Sequence, residues 1–238
     1  MPSTQYTLDD IRTRVALSRR MLARNGCDSN VGGHVSARAP GEDAFWITPL
    51  QYFDQTIPED CVKVGFDMEQ RDGTRKAPNA GSFHAAIYKA RPDVGSVIHL
   101  HSPWITIAGT MGKPLGIYSH ESSFFFQDQV VYEEDGVKPM VYGPALAEAL
   151  GQKRVILIKN HGSITASESL ERCTVESIAL EKAAHYHVEA ARVGGKEMGV
   201  AETLTIKKNY IKHFVPLMWE ANVERLRRSD PDLFAHIA

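Results

Sequence analysis

Residues 94–104, VGSVIHLHSPW, and residues 155–167, VILIKNHGSITAS, decide how this 238-residue chain is read. Each is a β-rich apolar run that ends on histidine, the first broken only by Gly95 and Ser96. His99 and His101 stand two apart on the expected strand, so both side chains project from one face and can reach a single ion at about 2.0–2.1 Å. A pair of satisfied or solvent-facing histidines would explain that motif by itself. His161 adds to it by closing the second run in the tight turn Asn160-His161-Gly162, where a third imidazole can meet the other two. Three neutral nitrogen donors leave a coordination position open, which is the arrangement of catalytic rather than structural metal sites.

Outward from these strands, Ser82 to Ala90 has helical character and stops before Arg91-Pro92-Asp93. Residues 8–25, LDDIRTRVALSRRMLARN, place Leu8, Ile11, Val15, Leu17, Met21 and Leu22 near helical spacing, and Gly26 follows as a stop. Gly32 to Arg38 and Phe45 to Pro49 read as short strands joined by turns, and Val62 to Met68 as a further strand followed by a turn at Arg71-Asp72-Gly73-Thr74. Ile164 to Ala166 continue the second histidine run past its turn, and Ser169 to Arg192 form a long helix closed by Gly194-Gly195. The alternation gives an α/β sandwich with a central sheet. No linker, repeat or low-complexity stretch divides residues 1–238, so a single domain is expected.

Composition narrows the function classes. With 43% hydrophobic and 24% charged residues the chain can bury a core without staples, so stability does not require a metal. A net charge of −2 provides no field for polyanions, and nucleic acid is not an expected partner. Cys27, Cys61 and Cys173 form neither a CxxC pair nor a disulfide framework, and they read as structural thiols in a reducing compartment. Without a leader pattern or an 18-residue apolar run, the expected location is cytoplasmic, with no membrane partner.

At this level of detail a resemblance emerges. VIHLHSPW preceded by HAAIYKARPDV, and IKNHGSITA followed by a long helix, resemble the signature segments of the class II aldolase/adducin family, while GGHVSAR and WITP resemble its first motif. The likeness covers about residues 8–195 and leaves 200–238 as a C-terminal arm, whose Tyr210–Trp219 stretch would fit an element closing a neighbour's site. It implies a three-layer αβα sandwich with a mainly antiparallel sheet and a divalent metal on His99, His101 and His161. It also implies a homotetramer with sites between subunits. The metal would be Mn²⁺ or Zn²⁺, with Fe²⁺ compatible, because three histidines suit several ions.

Two departures redirect the expected function. The sugar-phosphate enzymes of the family carry an acid–base carboxylate four residues before the histidine that opens the HAAIY-type helix. Here that histidine is His84 and the position is Ala80, and residues 77–82 contain no carboxylate. His34 replaces the asparagine of their phosphate motif, and Leu50-Gln51 follow Thr48-Pro49 in place of Thr-Gly. GHVSAR resembles instead the branch containing decarboxylases of hydroxylated aromatic or pyridine dicarboxylates. Retro-aldol cleavage needs a base on the hydroxyl, whereas decarboxylation begins from an ionised carboxylate and needs only a proton afterwards. Losing the base while keeping three ligands therefore favours a carboxy-lyase acting on a small molecule. The alternatives are an aldolase on a non-phosphorylated substrate, a non-heme iron oxygenase and a non-catalytic adducin-like interaction domain.

His34, His84, His120 and Glu121 are the expected proton donors or acid–base groups, with Glu121 a possible replacement for the missing carboxylate. Arg38, Ser36 and Thr48 are the expected substrate contacts, Arg38 because a planar guanidinium holds a carboxylate bidentately. Lys159 is a second candidate for the same task. Phe124-Phe125-Phe126, Trp46 and Trp104 read as core, interface or the wall of an aromatic pocket. His185 and His187 lie about 200° apart on the long helix and cannot share an ion.

Overall fold

The computed structural model describes residues 6–133 and 139–237. Its centre is one eight-stranded sheet built from β1 (His34–Arg38), β2 (Ala44–Ile47), β3 (Val62–Gly65), β4 (Gln70–Asp72), β5 (Ser96–Leu100), β6 (Gln129–Tyr132), β7 (Val155–Ile158) and β8 (Gly162–Ser167). The spatial order is β4-β3-β2-β1-β5-β8-β7-β6, antiparallel throughout except for the parallel β6–β7 pair at one edge. Period-two alternation sorts the side chains. Val35, Ala37, Ala44, Trp46, Ile98 and Leu100 pack beneath α1 (Ile11–Arg24), whereas Phe45, Ile47, Val62, Val64, Val97, Ile156 and Ile164 pack beneath α2 (Gly81–Ala90) and α4 (Pro139–Leu150). On the α1 side, Val155 and Leu157 complete the layer against α3 (Pro103–Gly109) and α5 (Leu170–Val193). The three layers are those of an α/β sandwich.

Local chemistry explains the boundaries. Asp10 caps α1 by accepting from the Arg12 N–H, Ser169 caps α5 by accepting from the Arg172 N–H, and Gly194 ends α5 in the left-handed conformation. The expected strand Val62 to Met68 ends at Gly65, because the chain turns through Met68 at φ +71° and comes back as β4. Arg71 and Asp72 thus belong to an edge strand, and the turn expected there begins only at Gly73. The arm continues as α6 (Val200–Asn209), one π-helical turn and α7 (Val215–Ser229). It lies along its own chain, with Tyr210, Ile211, Met218 and Trp219 packed against the cluster under α3 and α5. No helix among the described residues is long and apolar enough to cross a membrane.

Candidate metal centre

His99 is the fourth residue of β5, His101 follows the strand's end, and His161 sits in the β7–β8 turn beyond Asn160 at φ +59°. One ring nitrogen from each lies within 4.8 Å of the other two. The His101 and His161 Nε2 atoms are 3.0 Å apart. Two nitrogens bound to one ion at about 2.0–2.1 Å and a near-tetrahedral angle stand roughly 3.3 Å apart, so the spacing fits a shared divalent ion. His99 Nδ1–H donates to the Ser163 carbonyl at 2.8 Å, which fixes the tautomer and leaves Nε2 with its lone pair toward the other rings.

Electrostatics prepares the donors. Burial, and then the neighbouring imidazoles, hold His99 well below the usual histidine range. Burial and the His161 charge lower His101 to about 4. Both are therefore neutral at pH 7 and do not lose their ligand atoms to protons.

The chain comes very close at this point. A Cβ on Gly162 would sit 2.1 Å from the Leu100 carbonyl oxygen, and Gly33, at φ +84°, would place one 2.8 Å from the His99 oxygen. Glycine is what lets the β7–β8 turn and the β1 loop close on the histidine strand. Beyond His101 a buried glutamate supports the strand exit. The Glu181 carboxylate accepts from the Ser102 hydroxyl and from the Trp104 and Ile105 N–H groups, at 2.8, 2.9 and 3.0 Å, capping the first turn of α3. Glu181→Ala is expected to destabilise the protein by about 3 kcal/mol, since it leaves buried donors without acceptors. It should also weaken metal binding about tenfold through a looser His101. Equilibrium denaturation and a metal titration check both effects.

The other expected site residues separate. His34 pairs across the sheet with His99, and their rings stack at 5.8 Å between centroids. It lines a cavity of about 530 Å³ together with Pro49–Gln51 and Arg75–Ala80. Its buried Nδ1 has no hydrogen-bond partner among the described residues, and burial keeps its pKa far down. His84 is fully buried, with its Nδ1 2.7 Å from the Ser36 hydroxyl and its ring packed on Phe83. Ser36 also bonds the Tyr88 hydroxyl and the Val97 carbonyl, so its oxygen is spent on internal contacts. The Thr48 hydroxyl accepts from the Val35 N–H and is equally buried.

Arg38 lies at the opposite end of β1 from His34. Its guanidinium, expected to anchor substrate, donates to the carbonyls of Tyr88, Arg91 and Val94, closing the end of α2. Lys159 pairs with Glu133. His120 and Glu121 belong to a 3₁₀ turn packed on α5 and α6. The His120 ring meets Tyr210 edge-on, and among the described residues neither side chain contacts the triad. Phe124 and Phe125 are core, and Trp104 stacks on His185 at 3.9 Å. His187 accepts the Gly116 N–H. Arg75, Lys76 and Glu181 were not read from the sequence as site residues. A signal existed for the first two, which precede Ala80 by five and four positions.

Residues 13–188 match the model of the Class II Aldolase and Adducin N-terminal domain, and the chain belongs to that family. It is 31% identical to a 4-hydroxy-3-prenylphenylpyruvate oxygenase/4-hydroxy-3-prenylbenzoate synthase from Streptomyces roseochromogenus subsp. oscitans, over 81% of this chain and 72% of that one. It is 25% identical to a 3,4-dihydroxyphthalate decarboxylase from Arthrobacter keyseri, over 77% and 80%. Among solved structures, an L-fuculose 1-phosphate aldolase from Glaciozyma antarctica PI12 superposes with a TM-score of 0.82 at 25% identity, covering 92% of this chain and 90% of that one.

Proposed function

We propose that the protein is a divalent-metal-dependent carbon–carbon lyase that decarboxylates a hydroxylated aromatic or pyridine (di)carboxylate. The observation that carries this reading is the cavity beside the triad, whose described lining includes Ala80 and no carboxylate. His99, His101 and His161 would hold the ion, Mn²⁺ or Zn²⁺ with Fe²⁺ compatible. When bound, it supplies Lewis-acid stabilisation of the negative charge left as CO₂ departs.

The chain's own residues do the rest. A substrate carboxylate arrives ionised, so no base is needed, and the carbon–carbon electron pair stays on the ring until a proton reaches that carbon. His34 is the group placed to manage the proton. Burial keeps its imidazole neutral, so it orients a water that delivers the proton and does not act as an imidazolium donor. His84, through Ser36, packs behind it and holds its position. The reading extends to a cytoplasmic homotetramer, supported by the buried, unpaired cysteines and by Val200, Leu204, Phe214 and Leu217, which the arm leaves exposed.

Ala80→Glu tests the reaction class. A carboxylate beside a dianionic substrate is repulsive, and two like charges about 4 Å apart near a surface interact by up to ~4 kcal/mol. CO₂ release from hydroxy-aromatic acids is expected to fall at least tenfold in the variant. If the parent releases no CO₂ while Ala80→Glu cleaves a hydroxy-carbonyl compound efficiently, the aldolase reading replaces this one.

A further inference from the structure

We propose that Arg75 and Lys76 form an anion anchor in the cavity beside the metal centre, which takes a second carboxylate of the substrate and so selects dianionic over monoanionic acids. The proposal rests on the decarboxylase reading only for the identity of the anion. Its geometry is independent of that reading.

Arg75 is held in place by a chain of hydrogen bonds that runs through a buried carboxylate. Its Nε donates to Asp60 Oδ1 at 2.9 Å. Asp60 is itself buried, and its other oxygen accepts from Gln51 Nε2 at 2.9 Å and from the Ile57 N–H at 3.2 Å. Gln51 belongs to the cavity wall, and that wall is tied to α1. Arg19, fully buried, donates to the Pro49 carbonyl at 2.6 Å and to the Gln51 carbonyl at 2.7 Å. One guanidinium nitrogen is therefore spent on orientation, while among the described residues the two terminal nitrogens make no hydrogen bond or ion pair. Arg38 is the contrast, with its guanidinium engaged by three carbonyls. A guanidinium preset by a buried carboxylate meets a second carboxylate without first losing the freedom of a long side chain.

Lys76 adds a second cation to the same wall, and its ammonium has no ion-pair partner among the described residues. The described lining contains both cations and no carboxylate, and Asp60 engages Arg75 only through Nε, so the terminal guanidinium nitrogens and Lys76 are left for an anion that enters. His34 lies on the same lining and stacks on His99, so a ligand bridging the cavity can reach from the cationic wall toward the triad. A monoacid bound through the metal would leave the wall unused. A diacid engages both ends.

The test is binding to the manganese-loaded protein, measured calorimetrically with phthalate, isophthalate and benzoate, none of which has the hydroxyl needed for turnover, and with inorganic phosphate. Arg75→Met with Lys76→Met is expected to weaken the better dicarboxylate by about 10- to 100-fold, as for loss of charge-assisted hydrogen bonds, and benzoate by less than about threefold. Both side chains are exposed, so the fold should tolerate the change. Asp60→Asn, which frees Arg75 without removing its charge, is expected to weaken dicarboxylate binding by an intermediate factor. Arg75→Lys should restore part of the loss caused by Arg75→Met. Equal losses for benzoate and the dicarboxylates, or no loss for either, overturn the anchor. Tighter binding of inorganic phosphate than of either dicarboxylate overturns its assignment to a carboxylate. Anchor-dependent dicarboxylate binding in a protein that releases CO₂ from no hydroxy-aromatic acid leaves the anchor standing and removes the decarboxylase reading.

Discussion

Replacing His99, His101 or His161 by alanine is expected to lower divalent-metal affinity by about 100-fold or more, with loss of turnover. A complete zinc site of four ligands is worth about 10–16 kcal/mol, or roughly 3 kcal/mol for each ligand. His99 should be the most sensitive, since its Nδ1–H bond to the Ser163 carbonyl aims it and its burial prevents replacement by solvent. The fold should survive in all three variants. The core clusters on both sheet faces are built from apolar side chains, and the triad lies at the strand ends, outside them. Metal content after dialysis, measured alongside a thermal melt, checks the expectation. Full occupancy in all three variants would remove the metal centre from the account.

The second large effect is acid lability. His34, His84 and His99 are held far below their ordinary value by burial first, and His101 is lowered to about 4 for the same leading reason. A histidine whose folded pKa is depressed binds its proton more readily in the unfolded chain. The unfolded state thus takes up more protons once the pH falls below the ordinary value of about 6.5. Stability is fully present above that value and falls as the pH drops through it toward the folded pKa values. Each histidine kept neutral contributes a slope of roughly 1.4 kcal/mol per pH unit, so the four give about 5.6 kcal/mol per unit. Against a domain stability of about 5–15 kcal/mol, cooperative unfolding is expected near pH 5. Denaturation curves of the metal-free protein between pH 7.5 and 4.5 measure the slope. His84→Phe, which keeps an apolar ring in the pocket, should reduce the slope by about one proton. An unchanged slope in that variant would show that His84 takes up a proton equally in both states.

What the sequence disclosed follows from how each residue's role is encoded. His99, His101 and His161 were legible because two strand ends and one turn carried them, and period-two geometry with a glycine beside the turn limited where their rings could point. The helices α1, α2 and α5 were legible from periodicity and caps. β4 was read as a turn because all three of its residues are exposed, so an edge strand gave no alternation. β6, half-buried along its length, lacks contrast for the same reason. Arg38 was expected at the substrate on chemistry that is sound for an arginine in general, and the structure engages it at the end of α2. Which guanidinium meets helix-end carbonyls and which meets a cavity depends on packing between α2 and the sheet, and no local spacing states it. The same holds for Thr48 and Ser36, whose hydroxyls the strands needed for their own hydrogen bonds.

The central claim is that a three-histidine metal centre, beside a cavity whose described lining holds no carboxylate base, removes CO₂ from a hydroxylated aromatic or pyridine acid. It is tested most directly by incubating manganese- or zinc-reconstituted protein with a panel of ortho-hydroxy aromatic and pyridine dicarboxylates carrying ¹³C in each carboxylate, and following labelled CO₂. The account predicts metal-dependent release of one carboxylate from at least one member of the panel, abolished in His99→Ala. Absence of labelled CO₂ from every member, with full metal occupancy and an intact fold, would contradict it.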